Sequence, residues 1–457
     1  MNELIKETKN AYDYMNKEEL KKASDFCEGY KDFLNKGKLE RYVVSNAVET
    51  AKSKGFKEFE YNKKYSAGDK IYMVQKNKAA IFAIIGEEPI EEGFKIIAAH
   101  ADCPRIDIKG NPLYEDSQMA LFKTHYYGGI RKYQWVALPL TLCGVVYKND
   151  GSMIDINIGD NENDPVFCIT DLLPHLGKEQ GKKPLDTAYS GEDLNALTGS
   201  EFISEGEKKD GEKIKKNVLK ILNEKYGITE HDFISADLSL VPAGKARDLG
   251  IDRSMILAFG QDDRICVYPS FMALIEKNRV KNTSVCIIAD REEVGSMGVT
   301  GLRSSYMTDF LEELCITSGQ NPRKAFKNSM ALSADVMPAF DPNFPEVFDK
   351  RNSAFINCGA AFSKFTGVAG KSGSSEAAAE YISKIRRELD NKGILYQFAE
   401  LGKVDQGGGG TVSQFIADRN IEVVDIGVPI LSMHAPYEAA AKNDIYMLYK
   451  VCETFFE

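Results

Sequence analysis

The sequence predicts an α/β protein with a doubly wound mixed sheet flanked by helices and an inserted β-rich domain. Helical patterns and then strand patterns occupy the first 110 residues, and strands alternate with helices after residue 247, as in a doubly wound sheet. Residues 111–246 are instead rich in β-forming and turn residues, and contain the only tryptophan, Trp135. At 457 residues, the chain is also longer than a domain with a single hydrophobic core usually is. We therefore predict a discontinuous main domain over 1–110 and 247–457, with the insertion over 111–246.

The first hundred residues begin with helical patterns and continue with strand patterns. The helices are predicted in EELKKASDFCEGYKDFLNKG and LERYVVSNAVETAKSKGF, and the strands in KIYMVQKN, AAIFAIIG and FKIIAAH. The last two strands are almost continuously apolar, which predicts central positions in the sheet. The N-terminal stretch MNELIKETKNAYDYMNKEELKKASDF is polar, predicts helix, and lacks the apolar core of a signal peptide.

The combination of strand and helix patterns returns after residue 247, where the two alternate. Helices are predicted in RICVYPSFMALIEKNR, SSYMTDFLEELCITSG and SSEAAAEYISKIRRELDNKG, and strands in SVCIIAD, SMALSAD, ILYQFAE and IEVVDIGVPI. Within the insertion, the charged run EGEKKDGEKIKKNVLKILNEKYG predicts a solvated helix face or loop.

Composition limits the partners and the compartment. A net charge of −10 disfavours a broad surface for nucleic acid or anionic membrane. The sequence contains no apolar run as long as a membrane span. Nine scattered cysteines without a CxxC motif predict reduced thiols and a cytoplasmic location.

Histidines and acidic clusters follow five of the apolar stretches. Ligand sites of open α/β sheets lie beyond the carboxyl ends of the strands, so we expect these residues at one edge of one sheet. Carboxylates combined with imidazoles suit Zn²⁺, Mn²⁺ or Co²⁺, and this set exceeds what one catalytic zinc needs, which indicates two metals. The clusters are His100 after IIAA, Asp262–Asp263 after ILAFGQ, Glu292–Glu293 after VCIIADR, Asp335 after SMALSA, and His434 after PILSM.

Each cluster also has an ordinary structural explanation. In HADCPRID, Asp102 can orient a metal-binding His100, or the two can form a simple pair at a strand end. In QDDR, Asp262 can bridge two metals, or it can cap a helix. The His and Asp of MHAPYE and SADVMPAFDPN are each compatible with an ordinary loop.

The adjacent glutamates of DREEVGS are harder to explain without metal. Two carboxylates directly after a buried strand are costly to hold unless cations neutralise them. With metals present the pair can divide its roles, with Glu293 as a ligand and Glu292 as the general base.

The ordered set HADCPRID, QDDR, DREEVGS, SADVMPAFDPN and MHAPYE resembles the aspartyl aminopeptidase and aminopeptidase I family of co-catalytic zinc metallopeptidases. The likeness covers the whole chain, including the insertion. It implies a metallopeptidase catalytic domain of the zinc-peptidase type, with the inserted domain serving as a dimerisation or lid domain. It implies that His100 and Asp335 hold one metal, that Glu293 and His434 hold the other, and that Asp262 bridges them. It further implies that Glu292 is the general base and that Asp102 orients His100.

The resemblance extends less completely to the substrate pocket. His175 in LLPHL resembles a family histidine that a neighbouring subunit supplies to the substrate; packing or helix capping is the alternative. Gly408 and Gly409 of GGGGT resemble a segment lining the substrate cleft, or form a simple tight turn. Lys364 matches a family lysine that favours acidic side chains, and Lys371 is a second candidate, although both can be solvated. The family's Arg-Tyr pair is missing from FSKFTGVAGKSGSSEAAAEY.

The expected protein is a dinuclear metal-dependent aminopeptidase that hydrolyses the N-terminal bond of peptides, with a possible preference for acidic N-terminal residues. Its cofactors are two divalent ions, Zn²⁺ first, with Co²⁺ or Mn²⁺ as alternatives. The resemblance implies a dimer that assembles into a tetrahedral dodecamer. The alternatives are a related dinuclear amidohydrolase, such as a carboxypeptidase or deacylase, and a non-catalytic oligomeric peptide-binding scaffold.

Overall fold

The computed structural model describes residue 4 and residues 9–202 and 211–457, and these fold as a mixed α/β protein. Contacts divide the chain into two compact units. The first comprises Met1–Asp102, Ala246–Met433 and Glu438–Glu457; the second comprises Cys103–Lys245 and His434–Tyr437. The boundaries predicted at residues 110 and 247, and the role given to the insertion, stay predictions.

A nine-stranded sheet forms the framework of the first unit. Its four neighbouring strands Ser284–Ala289, Lys95–His100, Met330–Ala334 and Glu422–Gly427 run parallel to one another. The strand Lys95–His100, predicted to be central, is the fifth of the nine. Its almost wholly apolar sequence FKIIAAH suits a strand that is covered on both faces. In order across the sheet, the strands are Lys57–Glu58, Lys70–Gln75, Ala79–Ile84, Ser284–Ala289, Lys95–His100, Met330–Ala334, Glu422–Gly427, Ala360–Ser363 and Tyr396–Phe398.

Helices cover both faces of this sheet because its side chains alternate between two apolar clusters. Ile97 and Ala99 join one cluster, whereas Ile96 and Ala98 join the other. The helix Lys17–Lys36 begins with a capping box. The helices of this unit are Ala11–Tyr14, Lys17–Lys36, Glu40–Ser53, Gln261–Ile275, Tyr306–Thr317, Pro322–Asn328, Ala379–Asn391, Ser413–Ala417 and Lys442–Phe455.

The expectation that all five clusters follow strands of one sheet is wrong. The strands before Asp262 and His434, Met255–Ala258 and Pro429–Leu431, belong to a separate five-stranded sheet. Short apolar runs look alike in sequence, because hydrogen-bond partners that are distant along the chain decide which sheet a strand joins. This sheet orders Arg247–Leu249, Met255–Ala258, Glu438–Ala441, Pro429–Leu431 and Met337–Pro338, and a further two-stranded ribbon pairs Gly367–Val368 with Gly408–Gly409.

The second unit is built on a seven-stranded antiparallel sheet, which agrees with the β-rich composition of its sequence. Trp135 is fully buried. The charged run predicted as a helix face or loop forms the helix Lys213–Tyr226, and its first part lies outside the described residues. The strands in order are Met153–Ile158, Leu140–Tyr147, Ala236–Pro242, Arg105–Asp116, Met119–Tyr127, Ala196–Gly199 and Cys168–Ile169, with a short helix at Leu185–Ala188.

The described residues can be compared with two expectations from composition, which concern the cysteines and membrane-spanning segments. The nine cysteines all lie within the described ranges as thiols and not as disulfides, and eight of them are buried. None of the helices within the described ranges combines the length and apolar character needed to cross a membrane.

Candidate metal centre

The acidic residues converge because neighbouring parallel strands end together. His100 is the last residue of its strand, and its register partner Ala289 ends the adjacent strand immediately before Asp290. Asp335 follows Met330–Ala334 on the other side, where its N–H donates to the Ile426 carbonyl at 2.9 Å. The carboxyl edge of three central strands thus carries the histidine, the Glu292–Glu293 turn and Asp335.

Six side chains form three overlapping groups whose ligand atoms lie within 4.8 Å of one another. The groups are His100 with Asp262 and Glu293, His100 with Glu292 and Asp335, and Asp262 with Asp263 and Asp335. His100 Nε2 faces three carboxylates: its distances are 3.4 Å to Asp262 Oδ1, 3.7 Å to Asp335 Oδ1 and 4.0 Å to Glu292 Oε2. The structure therefore brings together four of the five predicted ligands and the predicted base.

Asp102 contacts both the histidine and the glutamate turn. His100 Nδ1 lies 2.9 Å from the Asp102 carbonyl oxygen and 3.3 Å from Oδ1, so Nε2 is left facing the carboxylates. The Glu292 N–H donates to Asp102 Oδ1 at 3.1 Å, and the Glu293 N–H donates to Oδ2 at 3.2 Å. Arg291 has a φ of 66° and Gly295 a φ of 86°, so left-handed residues bound the short helix that presents the glutamates.

Two further carboxylates of this centre had no role predicted from the sequence. Asp263 is fully buried, joins the third group, and its Oδ2 accepts the His100 N–H at 3.4 Å. Glu438, also buried, accepts the Asp262 N–H through Oε2 at 3.0 Å. The signals were present, since Asp263 is adjacent to Asp262 in QDDR and Glu438 ends MHAPYE. A buried carboxylate needs a donor or a cation, and this requirement appears only once burial is known.

Burial and mutual repulsion raise the pKa values of carboxyl groups in this cluster. Burial raises the pKa of Glu292 to about 8, and repulsion from Asp335 adds to this. Burial also raises the pKa values of Asp335 and Asp263. For His100 burial opposes the charge, but hydrogen bonds to three carboxylates outweigh it and raise the pKa well above its usual range. So many carboxylates in one buried place are stable as anions only with cations among them.

The donor set fits zinc. One imidazole nitrogen and several carboxylate oxygens, within a few ångströms of one another, match the ligand types that Zn²⁺ accepts. The tautomer of His100 is held by Asp102 behind it, as is usual for a zinc-binding histidine.

The remaining predicted histidines lie in the second unit. His434 is not a member of the three groups, which are drawn from the described residues; its Nδ1 contacts the Gly129 carbonyl oxygen at 2.9 Å. A Cβ at Gly129 would lie 3.1 Å from that nitrogen, so the close approach favours glycine. His175 is exposed in a turn, which rules out the packed alternative within the chain.

The predicted pocket residues lie on two paired segments of the first unit. Lys364 and Lys371 are both exposed and both contact Glu376 Oε1, at 3.7 and 3.0 Å. The two-residue strand Gly408–Gly409 pairs with Gly367–Val368. Gly408 has a φ of 139°, and a Cβ there would lie 2.5 Å from the Gly367 carbonyl oxygen, so this pairing requires glycine.

Comparisons with known proteins agree with this centre. Residues 33–456 match the family model described as aminopeptidase I zinc metalloprotease (M18). A probable M18 family aminopeptidase 1 from Clostridium acetobutylicum is 47% identical over 453 residues, covering 97% of each chain. The crystal structure of an M18 aminopeptidase from Thermotoga maritima superposes with a TM-score of 0.94 at 39% identity, covering 99% of this chain and 100% of that one. For aminopeptidase I from C. acetobutylicum, the TM-score is 0.91 at 44% identity, with the same coverage. These matches confirm the family resemblance: the chain belongs to the M18 family of zinc metalloproteases and is an aminopeptidase.

Proposed function

We propose that the enzyme is a dinuclear aminopeptidase that uses two divalent ions, with Zn²⁺ as the first candidate and Co²⁺ or Mn²⁺ as alternatives. The observation that carries this proposal is His100 Nε2 facing Asp262, Asp335 and Glu292 at 3.4 to 4.0 Å. Three overlapping donor groups exceed what one tetrahedral ion needs. His100 and Asp335 would hold one ion, Glu293 and His434 the other, and Asp262 would bridge; the roles of Glu293 and His434 rest on the family resemblance.

Glu292 is the proposed general base. When bound, the ions lower the pKa of a coordinated water and polarise the scissile carbonyl. Glu292 Oε2 lies 4.0 Å from His100 Nε2, so its carboxylate is beside the proposed ligands and is placed to take a proton from that water. It would pass this proton to the leaving amide nitrogen. Asp102 fixes both partners, because it orients His100 and receives the backbone N–H of Glu292.

The substrate-recognition residues are proposals from the family resemblance. Lys364 or Lys371 would attract an acidic N-terminal side chain, although both contact Glu376, which weakens that attraction. Gly408 and Gly409 would line the cleft, and His175 would reach the substrate of a neighbouring subunit. The proposed architecture is a doubly wound catalytic domain over 1–110 and 247–457 with an inserted dimerisation or lid domain over 111–246. Dimers assembling into a tetrahedral dodecamer, and a cytoplasmic location, complete the proposal.

The decisive experiment combines metal analysis with a substrate panel. The purified enzyme should contain two ions per chain, and Glu292→Gln should retain them while kcat falls by about 10² to 10⁴. Glu91→Gln, which removes a surface partner of Lys324, is the matched control and should leave both quantities unchanged. Full activity of Glu292→Gln, or of the enzyme after exhaustive chelation, would refute the assignment.

The panel also separates the alternatives. Peptides with a free amine should be cleaved, whereas peptides blocked at the amine but free at the carboxyl should not. The opposite result would favour a carboxypeptidase or deacylase. Peptide binding without bound metal or turnover would indicate a scaffold.

A further inference from the structure

A cavity lies where central strands of the sheet begin, whereas the candidate metal centre lies where they end. It has a volume of about 860 Å³ and is lined by Phe94, Lys95 and Met330, where two central strands begin. His100 ends the strand that Lys95 begins, so five residues of strand, roughly 17 Å, separate the two places. The volume is in the range of small-molecule sites.

Three lysines from three different elements line this cavity. Lys95 begins a strand, Lys281 precedes the strand Ser284–Ala289, and Lys384 lies on the helix Ala379–Asn391. Within the described part of the chain, no carboxylate forms an ion pair with any of the three; the Lys384 ammonium instead contacts Met330 Sδ at 3.3 Å. A fourth lining lysine, Lys392, is already paired with Glu457.

The environment of Lys95 disfavours its charge. Burial lowers the pKa of Lys95 to about 8; Glu388 opposes this shift, whereas Lys384 and Lys281 add to it. Its ammonium lies 4.8 Å from the centroid of the Phe455 ring, and this contact attracts the charge and acts against the shift. Lys281 and Lys384 are exposed and repel the less exposed Lys95, so an anion bound among the three lysines would stabilise the charged form of Lys95.

We propose that this cavity is an anion-binding site that takes a phosphate group, free or as a small monoester, on the ammonium groups of Lys95, Lys281 and Lys384. Three cations match a dianion better than a monocarboxylate. Because Glu88, Glu92 and Glu388 also line the cavity, a long polyanion would meet repulsion, whereas a compact anion can contact the lysines alone.

The test is residue-resolved lysine labelling of the zinc-loaded enzyme with an amine-reactive reagent, read by peptide mass spectrometry at constant ionic strength. Lys70 is the internal control: it also begins a strand, burial also lowers its pKa, and its ammonium lies 5.7 Å from the Phe56 ring, but it does not line the cavity. Inorganic phosphate should slow the labelling of Lys95 with saturation and leave that of Lys70 unchanged. Equal effects on both lysines, or no effect on Lys95, would overturn the proposal.

Further arms define the ligand and the contacts. Glycerol phosphate should protect Lys95 as well as inorganic phosphate does if a monoester fits, acetate should protect far less, and equal protection by acetate would reject the phosphate assignment. In Lys384→Met the phosphate concentration that half-protects Lys95 should rise by about tenfold, and in Lys70→Met it should not change. Unchanged protection in Lys384→Met would also contradict the site. Phosphate bound at the metal centre does not interfere, because the readout is the labelling of Lys95 itself.

Discussion

The Nδ1 atom of His100 lies 2.9 Å from the carbonyl oxygen of Asp102 and 3.3 Å from its Oδ1, and both side chains are buried at the end of a central strand. The same carboxylate receives the N–H groups of Glu292 and Glu293. One residue therefore orients a metal ligand and also fixes the turn that carries the proposed base.

Asp102→Asn should impair both functions. An asparagine keeps the size of the side chain but can accept with only one oxygen, and its amide nitrogen faces a donor. We expect zinc affinity to fall by about 10- to 100-fold, as for other residues that support a metal ligand. Competition with a chelator measures that affinity, and kcat measured at saturating zinc separates metal loss from misplacement of Glu292. Unchanged zinc affinity would contradict the orienting role.

Glu438 should support Asp262 through its backbone. Because Glu438 Oε2 accepts the Asp262 N–H at 3.0 Å, Glu438→Ala removes that acceptor, whereas Glu438→Gln keeps an amide oxygen able to replace it. We expect Glu438→Ala to lose more zinc affinity and more activity than Glu438→Gln. Zinc content after dialysis, together with kcat, provides the comparison, and equal behaviour of the two variants would argue against the hydrogen bond.

Thr411 should hold the glycine-rich segment in place. Its hydroxyl donates to the buried Asp425 at 2.6 Å, on the strand that also binds the Asp335 N–H. Thr411→Val keeps the shape of the side chain but removes the donor, so we expect KM for peptides to rise severalfold while zinc content stays constant. Thr317→Val, whose hydroxyl contacts only its own helix, is the control. A change in zinc content with KM unaffected would assign the bond to metal binding.

Asp444 should make folding stability depend on pH. Its carboxylate accepts the N–H groups of Asn357 and Gly359, but burial dominates and raises its pKa from 3.8 to about 7. Since the folded pKa is the higher one, the unfolded chain loses this proton first. Stability from this group is complete below pH 4 and is lost as pH rises through 7, by about 4 kcal/mol in total. Asp444→Asn should flatten the slope of unfolding free energy between pH 5 and 8, and an unchanged slope would exclude the residue.

Zinc removal should destabilise the fold as well as stop turnover. The carboxylates of the centre repel one another without cations, and ligands that bind only the folded state stabilise it by mass action. We expect chelation to lower the thermal midpoint and zinc to restore it. In Asp335→Asn the zinc-dependent rise should shrink, because one proposed ligand is gone. A thermal midpoint that does not change with zinc in the unaltered enzyme would contradict a metal ion at this site.

The sequence by itself determined most of the helices and strands and indicated the candidate residues of the metal centre. The apolar run of Lys95–His100 was predicted as a central strand and that of Ser284–Ala289 as a buried strand, because only apolar side chains can occupy both covered faces of a sheet. His100, Asp335 and the paired glutamates were recognisable as candidate residues of a metal centre, because polar groups at the ends of such strands lie at the carboxyl edge of the sheet.

Only the tertiary structure decided which strands are neighbours and which buried charges contact each other. The strand before Asp262 joined another sheet, because pairing depends on partners far away in the chain. Asp263, Glu438 and the lysines of the cavity became informative only through burial and proximity. Local patterns fix which side chains a strand presents, whereas the cost of burying their charge depends on every residue that the fold brings within a few ångströms.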